Sequence, residues 1–329
     1  MGQGAGLPDD RRLAVPGGAQ AGVLHVAVGP CPARRLRPVT PSPEQDELFA
    51  AHRPMMFAIA YEVLGTRADA DDAVQDSYLR WAGVDPAGVR NPRAYLATIA
   101  TRTALNAVRT VSRRRESYPG PWLPEPLVAE ADSPEQRLLM SEQLSYALSV
   151  VLLQATPEQR AVFMLHDVFE LPYPAVAEAL GKSQAAVRQI AVRARARLGA
   201  ADRSAGSSEE GMVALEAFQA AVGSGDLQTL MDVLAPDAVL LSDGGGKVVA
   251  ARKPVLGAAA IAGFLLRIAG TAVPGARVGI GPLNGGQGIL VHAGDRLELT
   301  VAVGTDGQGR ISGVYLVRNP DKLGTAARH

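Results

Sequence analysis

Between residues 42 and 200, apolar residues recur at helical spacing, and the same helix-start signal is found three times. The tetrapeptides SPEQ at Ser42–Gln45, SPEQ at Ser133–Gln136 and TPEQ at Thr156–Gln159 each place a hydroxyl residue before Pro and end in Gln. In this pattern the hydroxyl caps the helix, Pro occupies the first turn and Gln closes a capping box. The pattern predicts that this half of the chain is all-helical.

After residue 210 the pattern changes from helical to alternating. Helical segments lead into DAVLLSDGGGKVVAARKPVLG, which we interpret as strands around a Gly-rich hairpin, and further strands are separated by the turns NGG, AGD and TDGQG. Helices followed by a meander of strands indicate an α+β domain with a curved sheet. The predicted fold class is therefore multi-domain, with two all-α domains followed by an α+β domain.

Two segments rich in breakers or small residues divide the chain. Residues 116–132 contain four prolines and cannot form a continuous helix. The residues just before 210 are small and polar, as in flexible linkers. The start of the chain is rich in Gly, Pro, Ala and Arg, which predicts a disordered extension or an upstream start codon. The predicted organisation is 1–41 extension, 42–115 first helical domain, 116–132 linker, 133–200 second helical domain, 201–208 linker, 209–323 α+β domain and 324–329 tail.

The segment GKSQAAVRQIAVRARARL, residues 181–198, reads as the second half of a helix–turn–helix hairpin. Gly181 ends the helix YPAVAEAL, Ser183 is placed to cap the next helix, and an apolar face follows at Val187, Ile190, Ala194 and Leu198. Four arginines fall within its last eleven residues. Gln and Arg are the side chains that read base edges and contact phosphates. The alternative is a solvated helix end whose charges suit the macrodipole.

Overall charge and composition bear on the partners of the protein and on the compartment in which it is found. The chain has 33 basic and 33 acidic residues, so only local clustering of charge points to a partner. The single cysteine, Cys31, excludes an internal disulfide and is consistent with a reducing compartment. There is no run of 18 apolar residues and no secretion signal. We expect a cytoplasmic protein without membrane contact.

Residues 42–200 resemble an extracytoplasmic-function (ECF) sigma factor of the sigma-70 family. AYEVLGTRADADDAVQDSYLRWA resembles region 2.1–2.2, NPRAYLATIATRTALNAVRTVSRRR resembles regions 2.3–2.4, and the segment from Thr156 to Leu198 resembles region 4. WLPEP, DGGGK and NPDKL are similar to hallmarks of the SigJ-type subgroup, which has a C-terminal SnoaL-like (NTF2-like) extension. The resemblance implies that 42–115 is sigma region 2, that 133–200 is sigma region 4 and that 209–323 is the SnoaL-like domain.

The resemblance also implies partners and site residues. The partners are promoter DNA and core RNA polymerase, bound through its clamp helices, with the chain acting as a monomer. The residues implied in binding the clamp helices are Asp69, Asp71, Asp72, Gln75 and Asp76. Those implied at the −10 element, where a base is flipped out, are Arg90, Asn91, Arg102, Asn106, Arg109, Arg113 and Arg114. Those implied at the −35 element are Lys182, Ser183, Gln184, Arg188, Gln189, Arg193 and Arg195.

For the C-terminal domain three roles stay open: regulation of the sigma regions, catalysis in a pocket, and sensing of a small-molecule ligand. We favour regulation and expect no enzyme activity, cofactor or metal, because the acid–base candidates are few: Asp243, Lys247, His292, Asp295 and Arg296. The alternative for the helical half is a helix–turn–helix regulator independent of core polymerase. The contacts implied for regulation are Trp122, Asp243, Gly244, Gly245, Gly246, Lys247, Asn319, Pro320, Asp321, Lys322 and Leu323.

Overall fold

A computed structural model of the chain describes residues 42–128, 134–198, 209–269 and 275–326. The predicted extension, the second SPEQ cap at Ser133 and the predicted linker 201–208 lie wholly outside these ranges. The described residues belong to one unit, Pro38–His329. Within them, no helix combines the length and the apolar character needed to cross a membrane.

Three long helices form the first part of the chain, as the helical spacing predicts. They are α1 (Pro43–Leu64), α2 (Arg67–Trp81) and α3 (Pro92–Glu116). Ser42 caps α1 as predicted, because its hydroxyl accepts a hydrogen bond from the Gln45 N–H at 3.2 Å. The predicted capping box is wrong here: the Gln45 side chain instead donates to the carbonyls of Trp81 and Val84. Gln45 therefore ties the start of α1 to the end of α2.

Five helices and one π-helical turn form the next part. They are α4 (Pro134–Ser141), α5 (Tyr146–Leu152), α6 (Pro157–Val162), the π turn Phe163–Val168, α7 (Tyr173–Leu180) and α8 (Gln184–Leu198). The full capping box predicted at Thr156 and Gln159 is confirmed. The helices of both parts share a single apolar cluster that includes Phe57, Leu96, Phe163 and Val187.

The C-terminal part is α+β, as predicted. Its elements are α9 (Glu209–Ser224), α10 (Leu227–Val233), β1 (Leu234–Asp243), β2 (Val255–Leu256), α11 (Ala258–Ala269), β3 (Arg277–Leu283), β4 (Gly286–Ala293), β5 (Arg296–Thr305), β6 (Ile311–Val317) and α12 (Pro320–Ala326). The strands form one sheet in the order β2-β1-β6-β5-β4-β3, in which only β1 and β6 are parallel. The predicted strands around a Gly-rich hairpin are confirmed: β1 and β2 pair antiparallel, and the wide loop over residues 244–254 that joins them contains the three glycines.

Both faces of the sheet are covered at its centre. Alternate residues of a strand point to opposite faces. Along β5 and β6, Val303 and Val314 join a cluster with α9, α10 and α11, whereas Ala302 and Tyr315 join a cluster with α5, α12 and Leu123 of the predicted linker. Helix α5 is thus packed between the other helices of the first two parts of the chain and the sheet. Residues 123–127 of the linker are buried there.

Candidate promoter-binding surfaces and the contacts that enclose them

The helix–turn–helix hairpin forms as the sequence predicts. Gly181 has φ 62° and ends α7 in the left-handed region, where Gly is favoured. The Ser183 hydroxyl accepts a hydrogen bond from the Ala186 N–H at 3.2 Å, which confirms Ser183 as the cap of α8. The buried side of α8 is formed by Val187, Ala191, Ala194 and Leu198.

The residues predicted to bind the −35 element lie on the hairpin, and two of the exposed ones have partners nearby. Lys182 pairs with Glu158 at 3.3 Å, and the Arg188 guanidinium lies 5.3 Å from the ring centroid of Tyr173. Exposed contacts of these kinds contribute about 0–1 kcal/mol each, so DNA phosphates can replace them. The remaining exposed members of the set are Ser183, Gln184, Gln189 and Arg193.

Arg195 differs from the other predicted −35 residues because it is held by the domain itself. Its Nε donates to Asp167 at 2.7 Å, and the Asp167 side chain is almost fully buried. This hydrogen bond raises the pKa of the Arg195 guanidinium and keeps it charged. A role of Arg195 in DNA binding stays a prediction. In the structure, Arg195 also stabilises the domain through its hydrogen bond to Asp167.

Helix α3 carries three of the predicted −10 residues, Arg102, Asn106 and Arg109, on one exposed stripe, and Arg102 is bound to the hairpin. Arg102 donates from Nε to the Ala179 carbonyl at 2.9 Å and from Nη2 to the Glu178 carbonyl at 2.6 Å. These carbonyls lie at the C-terminus of α7, where the helix dipole favours a cation. Asn106 and Arg109 are exposed. The predicted −10 stripe is therefore partly occupied by the predicted −35 domain.

The other predicted −10 residues flank this stripe. Asn91 caps α3, and its side-chain oxygen accepts from the Ala94 N–H at 3.0 Å. Arg90 and Arg113 are solvent-facing, and Arg114 pairs with Asp69 at 2.7 Å. A DNA phosphate would compete with Asp69 for Arg114.

The acidic surface predicted to bind polymerase lies along α2. Asp72, Gln75 and Asp76 are exposed, whereas Asp69 and Asp71 are partly buried. Asp71 pairs with Arg53 at 3.2 Å and with Arg67 at 3.7 Å, and burial raises its pKa. The three exposed members are available to a partner without breaking a contact in the described residues.

Asp243 is the centre of the contact between the C-terminal domain and the linker, and its side chain is fully buried. Its two carboxylate oxygens accept four hydrogen bonds, two of them from the linker. These come from the Tyr118 hydroxyl at 2.5 Å, the Leu123 N–H at 3.0 Å, the Gly245 N–H at 3.0 Å and the Lys322 Nζ at 2.7 Å. We call these five residues the Asp243 node. The node explains why DGGGK and NPDKL, far apart in the chain, meet at the linker.

Lys322 makes further contacts with the linker. The Lys322 Nζ also donates to the Leu123 carbonyl and lies 4.3 Å from the ring centroid of Trp122. Burial lowers the pKa of Lys322, and Asp243 opposes that shift. For Tyr118, burial and the hydrogen bond to Asp243 raise the pKa. NPDKL is part of the packed interface, because Asn319, Lys322 and Leu323 are buried.

The glycines of DGGGK allow the close approach. Gly245 has φ 62°, and a Cβ there would lie 2.5 Å from the Asn319 side chain. Asn319 in turn donates to the Tyr118 hydroxyl at 2.8 Å. Lys247 at the end of the motif pairs with Asp321 at 2.6 Å on the surface. Any larger residue at 245 would separate the motif from NPDKL.

Trp122 connects the node to the first helical domain. The Arg115 guanidinium stacks 3.6 Å from the Trp122 ring centroid and donates to the Leu64 carbonyl at the end of α1. Burial lowers the pKa of Arg115 to about 10. Trp122 therefore lies between Arg115 and Lys322 and links α3 to the C-terminal domain.

Asn284 forms a second connection, which the sequence did not reveal beyond a turn at NGG. It lies between β3 and β4 with φ 51° and exchanges hydrogen bonds with the Leu127 backbone, donating at 2.7 Å and accepting at 3.0 Å. Its side chain donates to the Tyr61 hydroxyl at 3.1 Å, and Tyr61 donates to the Glu125 carbonyl at 2.6 Å. One asparagine thus joins the sheet, the linker and α1.

Glu62 on α1 makes a buried hydrogen bond to the second helical domain, and Arg160 of that domain is buried as well. The Ser149 hydroxyl donates to Glu62 at 2.6 Å, and Arg160 on α6 is close enough to lower the Glu62 pKa. Burial is the larger effect and raises the pKa of Glu62 to about 7. Burial also lowers the pKa of Arg160 to about 10. No sequence motif indicates this pair, because its members belong to different domains.

The acid–base candidates of the C-terminal domain do not converge on a cavity. Asp243 and Lys247 belong to the node and its rim, whereas Arg296 pairs with Glu298 and Asp295 lies 3.8 Å from Arg277. The part of the chain that the structure describes contains no cluster of three potential metal ligands.

Comparison with known proteins identifies the two helical parts. Residues 48–114 match the model of sigma-70 region 2, and residues 148–198 match sigma-70 region 4. The ECF RNA polymerase sigma factor SigJ of Mycobacterium tuberculosis is 34% identical over 84% of this chain and 92% of its own length. The probable ECF sigma factor SigI of the same organism is 30% identical over 57% of this chain and 66% of its own.

One solved structure agrees with this similarity. The crystal structure of Mycobacterium tuberculosis SigJ superposes with a TM-score of 0.69 and 31% identity, covering 84% of this chain and 97% of that chain. An NTF2-like protein from Burkholderia xenovorans aligns with 37% of this chain and 99% of its own at 20% identity, with a TM-score of 0.25.

Proposed function

This chain belongs to the ECF RNA polymerase sigma factors, and from that premise we propose that its C-terminal domain restrains promoter recognition by holding the linker. Sigma factors bind core RNA polymerase and promoter DNA, and they form a non-enzymatic family, as predicted. We further propose that α2 binds the clamp helices of core polymerase, that α3 recognises the −10 element and that α8 recognises the −35 element.

The dimensions of a promoter support an opening step. The two elements are about 25 base pairs apart, which is about 85 Å of B-DNA. A compact body of about 150 residues has a radius of gyration of about 15 Å and so spans about 40 Å. Regions 2 and 4 share one apolar cluster here, so they cannot reach both elements without separating.

The observation that carries the restraint is the Asp243 node. It binds the Tyr118 hydroxyl and the Leu123 N–H of the linker to Asp243 and Lys322 of the C-terminal domain. Separation of regions 2 and 4 requires the linker to move, and its movement would leave the Asp243 carboxylate without two hydrogen bonds. Burial of such a group without its partners is unfavourable, so the node opposes opening.

Run-off transcription tests both levels of the proposal. Core RNA polymerase is combined with the full chain on the DNA upstream of its own gene and then on a genomic fragment library. We expect a specific start with the wild type and a higher yield with Asp243→Asn. The matched control is Asp237→Asn, an exposed aspartate on the same strand β1. No specific transcript from any form would contradict promoter recognition, and a yield from Asp243→Asn at or below the wild-type level would contradict the restraint.

A further inference from the structure

The centre of the exposed side of α8 is uncharged. Successive residues of an α-helix are rotated by about 100°, so the side opposite Val187 and Ala194 is centred on a fixed set of positions. Those positions are Ala185, Gln189, Val192 and Ala196, and all four are exposed.

The arginines of α8 lie on the two flanks of this stripe. Arg188 and Arg195 are on one flank, next to Tyr173 and Asp167. On the opposite flank are Arg193 and Arg197, and Arg197 donates to Gln159 at 2.9 Å. Cations on both sides of a helix match the two phosphate backbones that border a DNA groove. The centre of the stripe therefore faces the bases when the helix lies in the major groove.

Val192 is the one large apolar side chain on this stripe. It is 63% exposed, and it lies in the interior of a 15-residue helix. A β-branched residue lowers helix propensity, and at this exposure it gains little from burial. Packing within the hairpin therefore does not require valine at this position.

The chemistry of the major groove does account for it. The 5-methyl group of thymine is the apolar feature of the groove, and a glutamine side chain can bond the N6 and N7 atoms of adenine. Gln189 lies one turn before Val192 on the same side of α8. We propose that Val192 reads the methyl group of a thymine in the −35 element, next to Gln189. This inference rests on the proposed binding of α8 to the −35 element.

Replacement of thymine by uracil removes only the methyl group and is the direct test. The probe is the promoter fragment defined by run-off transcription, with the thymines of its −35 element replaced by uracil one at a time. The protein is the full chain bound to core polymerase, and competition measures relative affinity. We expect uracil at one position to weaken wild-type binding about fourfold, as for burial of one methyl-sized group.

Two variants separate methyl readout from general effects. Val192→Ala should bind the thymine and uracil fragments equally at that position, whereas Val213→Ala should discriminate as the wild type does. Val213 is the matched control because it is 61% exposed and lies on α9 in the C-terminal domain. Both substitutions introduce alanine, which favours helix, so folding is preserved.

The outcomes distinguish this inference from the proposed function. Wild-type binding that is insensitive to every uracil, or discrimination that persists in Val192→Ala, would overturn the role of Val192 while specific transcription continues. Absence of a specific transcript on any unmodified fragment would overturn the proposed function, and the inference with it.

Discussion

The contact between regions 2 and 4 differs in chemistry from the contact between the linker and the C-terminal domain. The first is a shared apolar core with a few polar bonds across it, such as those of Arg102 and Glu62. The second is organised around a buried ion pair, Asp243 and Lys322. Apolar surfaces are tolerant of a new partner, whereas a buried charge requires its own hydrogen bonds. From this difference we infer that regions 2 and 4 can replace their mutual contact by contacts with polymerase and DNA. The node, by contrast, holds the linker in a single position against the C-terminal domain.

The largest effect should come from breaking the node. Asp243→Asn leaves the Lys322 ammonium buried without a counter-charge, and loss of one partner of a buried pair costs about 3–5 kcal/mol. We expect hydrogen exchange at the linker amides of residues 120, 122, 123, 125 and 127 to accelerate by a factor of 100 or more. Asp237→Asn should leave exchange unchanged.

A double variant separates the effect of the unpaired Lys322 charge from the effect of altered packing in the node. Asp243→Asn combined with Lys322→Met removes both charges and should restore much of the protection. Protection that stays as low as in Asp243→Asn would show that the ion pair does not hold the linker.

The contact between the helical domains should depend on pH through Glu62. Its pKa is raised from 4.5 to about 7, so the closed protein binds a proton that the open protein releases. The stability of the closed protein should therefore be highest near pH 4.5 and fall as the pH rises to about 7, by at most about 1.4 kcal/mol per pH unit.

Glu62→Gln should flatten this pH dependence in urea titrations between pH 5 and 8. Glu47→Gln, on the exposed side of the same helix, should retain the wild-type slope. If stability depends on pH equally in the wild type and in Glu62→Gln, Glu62 is not the origin of the pH dependence.

A smaller effect should follow the loss of Arg102 from the end of α7. Charge-assisted hydrogen bonds contribute about 1.5–3 kcal/mol, and solvent exposure of this contact reduces that to about 1 kcal/mol. Arg102→Ala should therefore increase exchange at the α7 amides severalfold. Arg109→Ala, on the same stripe without a contact to α7, should not. If both variants behave alike, Arg102 does not hold the hairpin.

The smallest effect should come from Lys247. Its ion pair with Asp321 is more than half exposed at both ends, and such pairs contribute about 0–1 kcal/mol. Lys247→Ala should leave linker exchange within about fivefold of the wild type. A change as large as that of Asp243→Asn would mean that the rim of the contact, and not its buried centre, holds the linker.

Local features of the fold could be predicted from the sequence because they depend on neighbouring residues. The caps at Ser42, Thr156 and Ser183 and the turn at Gly181 are set by side chains within four positions. Gln45 deviates for a tertiary reason, because the carbonyls at the end of α2 compete for its amide.

The contacts that connect the C-terminal domain with the linker and with α1 could not be derived from the local sequence pattern. Tyr118 and Asp243 are 125 residues apart, and Tyr61 and Asn284 are 223 apart, so no periodicity relates them. Resemblance to the subgroup identified DGGGK, NPDKL and Trp122, but Tyr118, Asn284, Glu62 and Arg160 carried no signal. Buried ionisable residues of this kind are recognised only when the domains are seen together.

The distance between regions 2 and 4 in solution tests the central claim most directly. Fluorescent labels at Ala50→Cys and Gln154→Cys, both exposed, in a chain with Cys31→Ser would report this distance by energy transfer. We predict one short distance in the free wild type, a longer one in the complex with core polymerase and promoter, and a longer population in free Asp243→Asn. An Asp243→Asn distribution identical to the wild type, or an unchanged distance in the promoter complex, would contradict the account.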